Sequence, residues 1–364
     1  MADDASMVNQ EPIFPLDTLE ISLYSNQDEP LTRANPYLQK EPSMSIREIE
    51  INDLDPQAFI EEQCRLISEE VGNSKAVNAL SGGVDSSVTT MLAHRALGSR
   101  LITYFIDNGL MREGEPESVV STMKNLGVPV VLVNAQNEFF SALKGKTDPE
   151  DKRQAITDTF YKTVFGRLVK ETGARRLFQG TIYTDVEETV AGIKRQHNIL
   201  AQLGIDTEKA YGYQVLEPLI QLRKPGVRAV GKALGMPEKI VNRPPFPGPA
   251  LVARVIGEAT PERIALVRRA TAVVEQELAG VQAFQYMAIL HEDRVTGLRD
   301  GKREYGFQIE IRCWDSKDAV TASPTHLPFD LLKKLAGRLT SEVPGVVSVT
   351  YNITTKPPST IEAV

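Results

Sequence analysis

Cysteine is scarce in this chain: 364 residues contain two, Cys64 and Cys313. Two thiols make neither a disulfide framework nor a zinc site, so a reducing compartment is expected. Histidine is also scarce, at four residues, and no Ser/His/Asp triad can be assigned from spacing. No apolar run approaches the length of a membrane span, and the acidic N-terminus is unlike a secretory signal or transit peptide. The expectation is a cytoplasmic protein that does not engage a membrane. An excess of one charge is missing over most of the length. Residues 1–50 carry ten acidic and three basic residues, which accounts for the whole formal charge of −7, and the remainder balances at 38 of each sign. That balance argues against nucleic acid as a partner, while leaving room for a local basic pocket that takes one phosphate. Internal repeats are absent.

What is present divides into three stretches. Residues 1–50 are rich in Asp, Glu, Asn, Gln, Ser and Pro and cannot bury enough surface to offset their ordering entropy, so an acidic flexible or partner-ordered arm is expected over 1–55. From Pro56 a helix pattern begins, with Phe59, Ile60, Leu66 and Ile67 on one face. Short apolar runs at Ala76–Leu80, Leu101–Ile106, Val128–Val133 and Arg175–Gln179 then alternate with helical spacing, including the long stretch Arg153–Thr172. Such alternation predicts an α/β domain over 56–243 with a doubly wound parallel sheet. The stiff connector Pro244–Pro249 marks a change of texture. Thr260-Pro261-Glu262 opens a helix, and Phe329–Leu339 reads as another. Phe307, Ile309, Ile311 and Cys313 alternate on one face, as do Val347, Val349, Tyr351 and Ile353. A smaller α+β domain is therefore expected over 244–364.

The most informative segment is Ser81-Gly82-Gly83-Val84-Asp85-Ser86-Ser87, set between an apolar run and a helix. Glycines let backbone N–H groups approach a phosphate, hydroxyls add donors, and the helix that follows offers its positive dipole end. Asp85 suits the Mg²⁺ that accompanies ATP. The Lys of a Walker A loop is absent. Instead the segment resembles the signature of the PP-loop ATP pyrophosphatases, which cleave ATP to AMP and pyrophosphate.

A more specific resemblance runs from about Phe59 to Glu362. It is carried by Ile106-Asp107-Asn108-Gly109-Leu110, Thr147-Asp148-Pro149-Glu150, Gln179-Gly180-Thr181-Ile182-Tyr183, Glu217-Pro218-Leu219, Phe246-Pro247-Gly248-Pro249 and Lys356-Pro357-Pro358-Ser359-Thr360-Ile361-Glu362. In this order the segments resemble the ATP pyrophosphatase and dimerisation domains of GMP synthetase. The resemblance implies that ATP adenylates a purine oxo group and that a nucleophile then displaces AMP. In that family the acceptor is xanthosine monophosphate, the nucleophile ammonia and the product GMP. It further implies that Ser81 to Ser87 cradle the phosphates, that Ile106, Gln179 and Gly180 seat adenosine, and that Asp85 and Asp185 carry Mg²⁺. Lys194, His197 and Asn198 match a lid over the reactants, while Arg303, Lys356, Thr360, Ile361 and Glu362 match the acceptor site. A homodimer through the second domain is implied as well.

The chain departs from the family on the acceptor side. Gln196 stands where the family has the first His of a pair, Ser323-Pro324 replaces an Asp-Trp, and Ala363-Val364 replaces a terminal Trp-Glu. The hairpin segment Asp300-Gly301-Lys302-Arg303 is reshuffled. The first Cys is residue 64 and the first His residue 94, so the arm is not a Cys-His-Glu glutaminase domain, and ammonia is expected from a separate glutaminase subunit. A second reading, PP-loop sulfur transfer onto GMP or a related purine from a sulfur donor protein, would make Cys313 the better candidate carrier. A third is a nucleotide-binding regulator without turnover. His94, His291 and His326 read as ordinary surface or isolated residues, and Cys64 and Cys313 as packing.

Overall fold

A computed structural model of the chain describes residues 46–190, 213–243, 246–317 and 319–364. The expected 1–55 arm falls mostly outside this range, but its last residues are docked. Ile49 N–H donates to the Gln221 carbonyl, Glu48 pairs with Arg223 at 2.7 Å, and Ile49 and Leu54 pack on a buried cluster. Two apolar side chains and a paired carboxylate suffice to hold a stretch whose overall composition reads as polar.

The first half builds a parallel sheet of five strands in the order β3-β2-β1-β4-β5. These are β1 (Ala76–Ala79), β2 (Leu101–Asp107), β3 (Val130–Asn134), β4 (Arg176–Phe178) and β5 (Gln214–Leu216). Four match the apolar runs in the sequence; the three-residue β5 was too short to show a period. Helix α1 (Pro56–Val71) precedes β1, and α2 (Val84–Leu97), α3 (Glu115–Asn125), α4 (Gln136–Leu143), α5 (Pro149–Asp158), α6 (Gly166–Thr172) and α7 (Tyr183–Val190) lie between the strands. The expected helix over Arg153–Thr172 is interrupted by a π-helical stretch, Thr159–Phe165. Strand order places β1 and β4 side by side with their connections leaving in opposite directions, the switch point at which open α/β sheets bind ligands.

The second half is a four-stranded sheet covered by the helices Pro261–Glu277 and Phe329–Glu342. β6 (Gln285–Arg299) and β7 (Lys302–Asp315) form a long antiparallel hairpin, β8 (Ser323–Pro324) pairs with β7, and β9 (Val346–Tyr351) runs parallel to β7. Ile309, Ile311 and Cys313 are buried as the alternation predicts. The β9 pattern differs. A bulge between Phe307 and Gln308 shifts the register and brings buried Val346 onto the side of Val349 and Tyr351. Val347 instead fills the notch left by Gly297 and Gly306, where a Cβ would lie 2.6 and 2.4 Å from Val347 side-chain atoms. Ile353 lies beyond the strand and is exposed.

One buried apolar cluster runs through both sheets, from Val77, Tyr104 and Ile106 to Ile309, Ile311 and Leu335. The two halves therefore share a core, which fixes one site against the other.

Candidate active site

The phosphate-loop residues connect β1 to α2, and the local sequence dictates their shape. Gly82 takes φ +81°, a value L side chains rarely adopt. Ser81 and Ser86 hydroxyls lie 2.8 Å apart, and Ser86 Oγ donates to the Gly83 carbonyl at 3.1 Å, so the loop is bonded to itself. Gly83 caps α2 without a side-chain hydrogen bond among the described residues, leaving the first helical N–H groups for an anion. Val84 and Ser87, in the first turn of α2, are both buried, and Ser87 is in the wall of a cavity. Beside Ser87 and Gly82 lies a cavity of about 270 Å³ that Arg112, Glu115, Lys239 and Arg243 also line.

Asp85 opens α2 and is aimed two ways. Its Oδ2 meets the Lys224 ammonium, and its Oδ1 is buried without a hydrogen-bond partner among the described residues. Among those residues no group of three His, Cys, Asp or Glu could hold a metal. A lone orphaned carboxylate oxygen beside an anion-binding loop fits Mg²⁺, which takes one or two carboxylates and completes its shell with phosphate oxygens and water. Asp185, in the first turn of α7, accepts from the Ile182 N–H at 3.0 Å. The β4–α7 turn is pressed against the loop: a Cβ on Gly180 would lie 2.9 Å from the Ser86 nitrogen.

Gln179 at the end of β4 is buried, with its Nε2 donating to the Tyr161 hydroxyl at 3.3 Å and its Oε1 left without a partner. The π-helical stretch supplies Tyr161, whose hydroxyl burial pushes up to about 12. The Ile106 side chain is core, so its backbone is the part available at the end of β2. The loop after β2 is held from the second half of the chain, because Arg268 donates to the Met111 carbonyl at 2.8 Å and also to that of Gly109.

The C-terminal segment folds against the start of the hairpin. Trp314 Nε1 donates to the Ile361 carbonyl at 3.3 Å, and Arg312 Nη1 to the Thr360 carbonyl at 2.9 Å. Ile361 packs on the Trp314 cluster. Thr360 hydroxyl donates to the Glu362 carbonyl at 2.5 Å, and Lys356 Nζ to the Ala319 carbonyl at 2.6 Å. Lys356 is thus engaged within the chain. Glu362 Oε1 accepts from Gln285 at 2.9 Å; burial pushes its carboxyl up, against the pull of Arg254. Arg303 is not gathered with these residues. It is exposed at the hairpin tip, opposite Leu298. Trp314 lies eleven positions further along the extended β7, a span of roughly 35 Å. Lys194, His197 and Asn198 lie outside the described residues.

Sequence reading missed the cations that join the two regions. Arg243 donates to the Gly82 carbonyl at 2.8 Å and pairs with Glu115. Glu115 lies 3.8 Å from Arg112, and Arg112 stacks on the Phe246 ring, its guanidinium carbon 3.8 Å from the centroid. Arg254 lies over the same ring at 4.9 Å and faces Glu362 at 3.8 Å. A continuous chain of side chains therefore runs from the phosphate loop to the C-terminal segment. Proximity to the quoted motifs was the available signal: Arg112 follows Leu110 by two residues, and Arg254 follows Pro249 by five.

Residues 58–248 match the family model for NAD synthase, and residues 273–363 the model for the GMP synthase C terminal domain. Over 309 residues the chain is 46% identical to a subunit of glutamine-hydrolyzing GMP synthase from Archaeoglobus fulgidus, spanning 85% of this chain and 99% of that one. Over 307 residues it is 48% identical to the subunit of the same name from Pyrococcus horikoshii, spanning 84% and 98%. The chain belongs to the GMP synthase family. Membership makes it an ATP pyrophosphatase-type ligase of the class that uses ATP with Mg²⁺. Among solved structures, NMN synthetase from Francisella tularensis aligns with 17% identity and a TM-score of 0.43 over 54% of this chain and 78% of that one.

Cys313 is buried, and burial pushes its thiol up, with a Thr325 hydrogen bond pulling the other way. Cys64 is half-buried and its thiol is also pushed up by burial. Neither environment makes a thiolate. His291 is less isolated than its spacing suggests: its Nε2 lies 2.8 Å from Glu310 Oε2. Among the described residues no helix is long and apolar enough to cross a membrane.

Proposed function

We propose that this chain aminates xanthosine monophosphate to GMP, driven by ATP, with ammonia delivered by a separate glutaminase subunit. The purine 2-oxo oxygen attacks the α-phosphorus of ATP, and the bond to the β-phosphate oxygen breaks to release pyrophosphate. Ammonia adds at C2 and loses a proton, and AMP departs with the C–O bonding pair. The observation that carries this reading is the Arg243–Glu115–Arg112 bridge. It joins an anion-binding loop with an orphaned carboxylate oxygen to a second cluster of orphaned polar atoms around Phe246. Two reactants held at the ends of such a bridge meet the positional demand of a group transfer.

Within this reading Ser81 to Ser87 and the uncapped start of α2 hold the phosphates, and Lys224 offers its ammonium to the departing pyrophosphate. Asp85 and Asp185 would hold Mg²⁺, which neutralises charge on the leaving group. The Gln179 carbonyl oxygen is suited to accept from the adenine amino group, with Ile106 and Gly180 contributing backbone. Arg112, Thr360, Ile361 and Glu362 serve the acceptor, with Lys356 released from the Ala319 carbonyl. Lys194 and His197, with Asn198, are assigned to closure over the reactants by resemblance. We divide the chain into a pyrophosphatase domain over 56–243 and an acceptor and dimerisation domain over 244–364. Exposed Leu298, Tyr305, Phe329 and Ile353 support a homodimer through the second domain. Arg303 would then serve a second copy's acceptor, since its own lies a hairpin length away.

Sulfur transfer carried on Cys313 is disfavoured by the burial of that thiol. The test is to supply ATP, Mg²⁺ and ammonium with xanthosine monophosphate, then GMP with sulfide, and to measure pyrophosphate and the purine product. Stoichiometric pyrophosphate and GMP from xanthosine monophosphate support the proposal. Pyrophosphate only with GMP and sulfide replaces it with thionation, and none with either purine replaces it with a regulator.

A further inference from the structure

β7 carries a polar cluster on the face opposite its buried Ile309, Ile311 and Cys313. Glu310 and Arg312 lie two residues apart on that strand and so share one side of the sheet. Arg312 Nε donates to Glu310 Oε1 at 2.5 Å. Asn352, just past β9, donates from Nδ2 to the same oxygen at 3.0 Å, while its Oδ1 accepts from the Thr354 N–H. His291 comes from β6 where the β6–β7 register shifts, and its Nε2 lies 2.8 Å from Glu310 Oε2. Three of about four acceptor positions on this carboxylate are thus taken. Glu310 and Arg312 keep only 13% and 10% of their side chains exposed, so Glu310 acts through its neighbours.

The far end of Arg312 is what this cluster aims. Its Nη1 donates to the Thr360 carbonyl at 2.9 Å and reaches the Ile361 carbonyl at 3.4 Å. Trp314, next on the same face, donates to the Ile361 carbonyl, and Ile361 and Ala363 pack on its cluster. Residues 360–364 belong to no helix or strand, so side chains rather than a ladder set where these carbonyls lie. A guanidinium on a flexible stem has many rotamers, and only one of them meets both carbonyls. A buried charged pair is a costly way to fill a core; what it supplies is one defined geometry. We infer that Glu310, braced by His291 and Asn352, is a positioning residue that orients Arg312 and thereby the C-terminal segment. This role rests on the amination reading, in which the segment grips the acceptor, and names what holds the segment itself.

Trp314 is the single tryptophan of the chain and is 1% exposed, so its emission reports the docking of the segment whatever the substrate. In the full-length protein, Glu310→Ala is expected to raise acrylamide quenching of Trp314 by about threefold under native conditions. It should also raise the KM for xanthosine monophosphate by about 30-fold, with kcat within about threefold and the KM for ATP within about twofold. Glu310→Gln keeps an acceptor for Arg312 and should restore all but about threefold of that loss. In an Arg312→Met background, Glu310→Ala should add less than about twofold, because nothing is left to aim. A carboxylate that merely filled space would lower stability and leave native quenching and the ratio of the two KM values where they were. Should Glu310→Ala fail to fold, His291→Ala and Asn352→Ala each remove one brace and are expected to raise the same KM by about threefold. Unchanged quenching, additive losses in the double variant, or equal rises in both KM values overturn the role of Glu310. A wild-type protein that neither binds xanthosine monophosphate nor releases pyrophosphate with it sinks the amination reading, while Trp314 still decides the positioning. Turnover with unaltered emission and KM in Glu310→Ala does the reverse.

Discussion

Gly180 and Ser86 pack backbone to backbone: a Cβ added to Gly180 would sit 2.9 Å from the Ser86 nitrogen and 3.0 Å from the Asp85 carbonyl carbon. These are main-chain atoms, so a flexible side chain cannot absorb the clash. Gly180→Ala should spread the β4 turn from the phosphate loop, lower kcat/KM for ATP by about 100-fold, and cost about 1–3 kcal/mol in a urea melt. Wild-type kinetics with ATP would show that the close approach is not functional.

Asp85 presents the one buried orphaned carboxylate oxygen of the phosphate loop. Asp85→Asn keeps the shape and removes the charge, so pyrophosphate release should drop by about 10³-fold or more while the circular dichroism spectrum and melting temperature hold. Retained turnover would refute the metal role.

Glu275, from the helix Pro261–Glu277, holds Arg112 Nε at 2.7 Å across 163 residues of sequence. That bond aims Arg112 over Phe246. Glu275→Ala should raise the KM for the purine nucleotide by about tenfold and leave the KM for ATP unchanged, with Glu275→Gln restoring most of the loss. An equal rise in both KM values would point to a general loosening.

Glu310 gives a pH signature. Burial alone would raise its carboxyl, but hydrogen bonds from His291, Arg312 and Asn352 outweigh that and bring it down to about 2. The unfolded carboxyl has the ordinary value of 4.5, so between these two pH values the unfolded chain binds more protons. This stabilisation, about 3 kcal/mol, is present above about pH 4.5 and lost as pH falls toward 2. Urea melts between pH 6 and 3 should show the decline, and Glu310→Gln should flatten it; equal slopes would remove Glu310 as the cause.

Cys313→Ser leaves the thiol's buried position with a polar hydroxyl and should cost about 1–2 kcal/mol. Pyrophosphate release should persist at the wild-type rate, and iodoacetamide should leave native Cys313 unmodified over the same period. Loss of turnover without loss of stability would reinstate a chemical role for this thiol.

Much of the fold was legible because its signals are local. Apolar runs named four of five parallel strands, Thr260 capped the helix that follows it at short range, and alternation set the core face of β7. Legibility failed where a distant partner intervened. The β9 face changes at a bulge where Val347 occupies the space left by Gly297 and Gly306, two residues on other strands. The π-helical stretch that places Tyr161 has helical spacing and cannot be told from an α-helix by period.

The site divides in the same way. Ser81 to Ser87 disclose their chemistry in order, because a phosphate loop needs neighbouring glycines, hydroxyls and a helix start, all within a few bonds. Four cations became visible only after folding: Lys224 reaches Asp85 across 139 residues, Arg243 reaches Glu115 across 128, and Arg112 and Arg254 converge on Phe246. Amino-acid order by itself determined the loop, the strand and helix alternation and the family. The tertiary structure decided which charges face each other, because Coulomb attraction and desolvation depend on distance through space, and a surface arginine and a buried one look the same in a sequence.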